Sequence, residues 1–82
     1  MKASYSFDDG KLPGKMDMFN DRDILIFMDV LASYFTKHSE ATVFISTTLG
    51  TTKHEIRCYR DLVNFVSTLA VLSWESNEFK TN

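Results

Sequence analysis

Residues 41–48 read Ala-Thr-Val-Phe-Ile-Ser-Thr-Thr, a run of β-branched and aromatic side chains with no helical face, and such a run favours an extended strand. Leu49-Gly50-Thr51 follows as a compact turn in which Gly50 suits a positive φ, and Lys53 through Tyr59 then return antiparallel. An isolated hairpin is barely stable in water, so the rest of the chain must cover one of its faces. On the return strand His54, Ile56 and Cys58 alternate with Lys53, Glu55, Arg57 and Tyr59, which makes the first set the core face and the second the wet face. Cys58 is accordingly read as a small buried hydrophobe.

Segments of helical period lie on both sides of the hairpin. Asn20 precedes Asp21-Arg22-Asp23 as an N-cap, with two carboxylates at the positive end of the helix. Ile24, Phe27, Met28, Leu31, Tyr34 and Phe35 then recur at three- and four-residue spacing, and Leu25, Ile26 and Val30 widen the stripe, so most of this helix is expected to be enclosed. Lys37 and His38 suit its C-terminal end. From Arg60-Asp61 onwards Leu62, Phe65, Val66, Leu69, Ala70 and Leu72 form a second apolar face, with Val63, Val71 and Trp74 at its edges. Residues 3–7 alternate as a short strand. Residues 8–19, with Asp8-Asp9-Gly10 and Leu12-Pro13-Gly14, read as an irregular connection, and residues 78–82 as a frayed tail. The expected fold is α+β: one small two-layer domain over residues 1–82, with a β-hairpin packed against two helices. The N-terminal segment either completes a three-stranded antiparallel sheet or lies across the helices as an arm. No internal repeat is expected.

Composition excludes several classes of function. With 44% hydrophobic and 24% charged residues the chain is globular, and nine basic against eleven acidic side chains leave a charge of −2, without the basic excess of a dedicated nucleic-acid binder. The single cysteine forms no intrachain disulfide, which suits a reducing interior. No signal sequence is read at the N-terminus, and the longest apolar run, residues 24–28, is far too short to span a bilayer, so a cytoplasmic location without membrane contact is expected. His54 and Cys58, four residues apart on an extended strand, are about 13 Å apart, too far to exchange a proton. The acidic residues Asp17, Asp21, Asp23 and Asp29 lack the order of a calcium loop, and three glycines supply no phosphate cradle. We therefore expect no catalysis, no metal and no cofactor.

What remains is surface. Lys53, Arg57, Tyr59 and Arg60 form a basic-aromatic cluster suited to phosphates and a stacked base, with Glu55 in its midst cancelling part of the attraction. Tyr59, flanked by arginines, is the best single contact residue, and the Asp8-Asp9-Gly10 turn is its expected neighbour. Met16, Met18 and Phe19 exceed what their connection can bury, and Trp74 and Phe79 form a second surplus. These features describe a small accessory or inhibitory protein-binding module, a homodimer of the kind that mobile or viral genomes encode, which acts by occupying a partner's surface. The alternative is a weak nucleic-acid binder using the basic-aromatic face.

Overall fold

The computed structural model describes residues 1–7, 14–37 and 39–77. Along the chain run β1 (Lys2–Phe7), β2 (Gly14–Asp17), α1 (Asp21–Phe35), β3 (Ala41–Thr47), β4 (Gly50–Ile56) and α2 (Tyr59–Ser76). The four strands make one antiparallel sheet in the order β2-β1-β3-β4, and both helices cover the same face. The expected two-layer α+β architecture is present, with the N-terminal segment inside the sheet. β1 pairs along its length with β3, Ala3 opposite Ile45 and Tyr5 opposite Val43. One expectation fails within residues 8–19: the connection contains β2, and Met18 beyond it is fully buried. Four residues are too few to show a period, and only pairing with β1 extends them. The Asp8-Asp9-Gly10 turn and the 78–82 tail lie outside the described residues.

Strand alternation sets the two faces. Ala3, Val43, Ile45 and Ile56 point into the core beneath Ile24, Phe27, Leu31, Leu62, Phe65 and Leu69. The Phe27 ring lies at the centre, 5.5 Å from the Tyr5 ring and 6.3 Å from the Phe65 ring. On the opposite face the hydroxyls of Ser4, Thr42, Ser46 and Thr51, the charges of Lys2, Lys15, Asp17, Lys53 and Glu55, and the half-exposed Phe44 meet solvent. Each helix buries one narrow stripe, because a two-layer domain offers it a single surface. Leu25, Ile26 and Tyr34 on α1 are exposed, against the expectation that most of that helix would be enclosed. On α2, Val66 and Ala70 are exposed where burial was expected, while Ser73 and Ser76 are buried with hydroxyls bonded to the Ala70 and Leu72 carbonyls.

The sheet order exposes a duplication. β1-β2-α1 and β3-β4-α2 are two strand-strand-helix units, and a pseudo-twofold axis near the facing pair Ser4 and Phe44 relates them. Arg22-Asp23, Phe27 and Leu31-Ala32 of the first unit recur as Arg60-Asp61, Phe65 and Leu69-Ala70 of the second, at one constant spacing. Lys15 and Asp17 recur as Lys53 and Glu55. The helix entries repeat as well. The Phe19 amide donates to the Asp23 carboxylate at 2.8 Å, and the Arg57 amide donates to the Asp61 carboxylate at 3.0 Å. The expectation of no internal repeat is thus corrected. Asn20 acts as the expected N-cap of α1, accepting from the Asp23 amide at 3.1 Å, whereas Cys58 at the equivalent place makes no side-chain cap bond.

Gly14 faces Tyr5 across the β1–β2 pair, and the Tyr5 ring occupies the space that a Cβ at residue 14 would take. Gly14→Ala must therefore displace the ring, which also packs against Phe27. We expect a loss of about 1–3 kcal/mol in urea denaturation; an unchanged midpoint would show that the ring is free to move.

Candidate functional site

The helix layer carries most of the exposed large hydrophobic side chains among the described residues. On α2, Tyr59, Val63, Val66, Ala70 and Trp74 recur at four- and three-residue spacing, so they form one outward stripe about 22 Å long at a rise of 1.5 Å per residue. On α1, Leu25, Met28, Asp29 and Ala32 follow the same spacing. The two rows enclose a groove of about 280 Å³ lined by Leu25, Met28, Asp29, Ala32, Tyr59, Leu62, Val63 and Val66. Val63 is 55% exposed, Tyr59 68% and Trp74 86%. Among the described residues of this two-layer domain nothing covers this side of the helices. Among the described residues Asp29 is the one charged side chain lining the groove, and the rest of that lining is apolar apart from the Tyr59 hydroxyl.

The structure divides the cluster expected from the sequence. β4 ends at Ile56 and α2 begins at Tyr59, so the strand alternation stops before Cys58. Lys53 lies on the open sheet face, where its ammonium is 3.4 Å from Glu55, and the Arg57 guanidinium donates to the other Glu55 oxygen at 2.7 Å. All three groups are well exposed, and such pairs contribute little to stability. Tyr59 is instead on the helix layer at the rim of the groove, and Arg60 is exposed beside it in the first turn of α2. Cys58 is exposed and not buried, because the chain turns into the helix there. Met18 is withdrawn as a contact residue, since it lies in the core bonded by its backbone to Met1. Met16 packs half-buried against the same core. Phe19, 69% exposed, and Trp74 keep the accessibility that a contact residue needs. The groove-lining Leu25, Met28 and Val63 do not stand out in the sequence as contact residues; their signal is the excess width of each apolar stripe over what one sheet face can bury.

His54 stands on the core side of edge strand β4, its ring 5.1 Å from that of Phe65 and its Nε2 2.7 Å from the Thr52 hydroxyl. Its nearest polar partner is thus Thr52 and not Cys58. Burial lowers its pKa below the ordinary value of 6.5. The unfolded chain consequently binds more protons below that value, so the His54 contribution to stability is complete above pH 6.5 and is lost as the pH falls below it. Melting temperatures taken between pH 7.5 and 5.5 should fall less in His54→Gln than in the parent. Parallel curves for the two proteins would remove His54 from the acid response.

Comparison with family models, with curated proteins and with solved structures finds no match. The surface itself must carry the functional reading. Among the described residues no helix is long and apolar enough to cross a membrane.

Proposed function

We propose that this chain is a protein-binding module that receives an amphipathic helix of its partner in the groove between α1 and α2. The observation behind this reading is the outward stripe from Tyr59 to Trp74 beside Leu25 and Met28. Parallel rows of apolar side chains at helical spacing complement a third helix, whose own residues at three- and four-residue intervals enter the gap. A stripe of this length matches about four turns of such a helix. Asp29 favours a lysine or arginine on the occupant near the middle of α1. Tyr59 and Trp74, at the two ends of the stripe, supply large rings of the kind that dominate binding energy. In this reading the protein performs no catalysis. It acts as an accessory or inhibitory subunit by covering a helix its partner needs.

Display selection against a library of amphipathic helical peptides tests the reading. Binders are expected to carry an apolar face with a basic residue, and to lose affinity when Val63 is replaced by Asp. Binders unaffected by that replacement would count against the groove.

A second reading, nucleic-acid binding, has one observation behind it. Phe44, 41% exposed on the open sheet face, lies opposite Lys53 in register, with Lys2 and Lys15 on the neighbouring strands. Asp17 and Glu55 share that face and offset part of its positive charge, so any such binding would be weak and salt-sensitive. Loss of a fluorescent single-stranded probe on Phe44→Ala at low salt, with Val63→Asp unchanged, would favour this reading over the groove.

A further inference from the structure

We propose that two copies of the chain join through the outer edge of β4, antiparallel about His54, so that Lys53 of each copy faces the partner's Glu55. β4 is the last strand of the sheet order, and among the described residues no strand pairs with its outer side. Its seven residues therefore present alternate amide and carbonyl groups that only another extended backbone matches. The charge pattern along this edge selects a second copy as the occupant.

Side-chain direction alternates along a strand, so a continuous sheet with both helix layers on one side permits only registers that pair like faces. Centring the pair on Lys53 would set two ammonium groups opposite each other. Centring it on Glu55 would oppose two carboxylates and set Lys53 against the partner's Arg57. Centring on Thr52 faces Lys53 with the partner's Thr51 and brings no opposite charges together. Centring on His54 places Lys53 opposite the partner's Glu55 twice, once on each side of the axis, and sets Thr52 against the partner's Ile56. It is the one of these registers that sets opposite charges face to face, and it pairs Thr52 through Ile56 of each copy.

The space beside the strand suits the same arrangement. A groove of about 320 Å³ runs between β4 and α2, lined by His54, Ile56, Asp61, Asn64, Phe65 and Thr68 among others. A strand added at this edge carries the partner's His54 and Ile56 on the helix side, next to that groove. The result is a closed twofold dimer with a continuous eight-stranded sheet. β2, at the other edge, has Lys15 and Asp17 in equivalent positions but only four residues to pair. The dimer leaves the groove between α1 and α2 open, so it does not depend on the proposed function.

Sedimentation equilibrium of the full chain at micromolar concentration tests the proposal, with circular dichroism confirming that each variant is folded. The parent should be a dimer. Lys53→Glu and Glu55→Lys should each raise the dissociation constant at least about tenfold, because each opposes like charges on both sides of the axis. An equimolar mixture of these two variants should recover a heterodimer, in which opposite charges again face each other. Lys15→Glu and Val63→Asp should leave the dimer intact. A monomeric parent, assembly beyond the dimer, single variants that dimerise like the parent, or a mixture that stays monomeric would each overturn the edge pairing.

Discussion

Truncation of Phe27 to alanine is expected to cost about 3–5 kcal/mol in urea denaturation, more than the loss expected for Gly14→Ala or for any substitution on the exposed helix faces. The ring is fully buried where the two strand-strand-helix units meet, against Tyr5 of β1 and Phe65 of α2. Its removal leaves a cavity that neither helix can close without sliding over the sheet. A domain of this size has about 5–15 kcal/mol in total and belongs at the low end of that range, so much of the population should be unfolded at room temperature. Phe27→Leu, which keeps most of the volume, should lose much less. Phe65, its counterpart across the pseudo-twofold axis, also packs on His54 and should show a loss of similar size. If Phe27→Ala unfolds within about 0.5 kcal/mol of the parent, the ring is not at the centre of the core.

The second large effect concerns binding. Val63→Asp should reduce affinity for the partner helix about a hundredfold or more, since an unpaired carboxylate must be desolvated in the groove when the partner closes over it. Val63 is more than half exposed, so the free protein should tolerate the change with little loss of stability. Leu25 lies at the equivalent position of the first unit and lines the same groove, and Leu25→Asp should act alike. Because both carboxylates would join Asp29, a partner helix enriched in lysine should be affected less than an uncharged one. Lys53→Glu, on the open sheet face, should leave this affinity unchanged, which separates the groove from both the dimer edge and the nucleic-acid reading.

Much of the architecture is legible in the sequence because local chemistry and tertiary structure agree at the strongest signals. The β-branched run of β3, the positive φ of Gly50, and the Asn20 cap with Asp23 are each fixed by residues close in sequence. β2 is hidden for the opposite reason: Gly14-Lys15-Met16-Asp17 has no extended preference of its own and forms a strand because β1 offers it partners. The same pairing draws Met18 into the core. The duplication is obscured since its identities are spread one or two at a time through segments whose other positions differ, and the first hairpin connection is longer than the second. Stripe width on the helices is visible, but period alone does not tell how many layers will cover a helix. Once only the sheet lies against them, the unused part of each stripe becomes the exposed groove from Leu25 to Val66. Tyr59 reads from the sequence as a contact residue, but on the wrong layer, because the strand ends three residues before it.

Photo-cross-linking decides the central point most directly. A photoreactive phenylalanine placed at residue 63 reports on the groove, and the same group at residue 42 reports on the open sheet face. Irradiation in an extract of the native cells should give adducts from position 63 that map to the apolar face of a helix in a single partner, and should give none from position 42. Adducts from position 42 without any from position 63 would contradict the assignment of the helix layer as the binding surface.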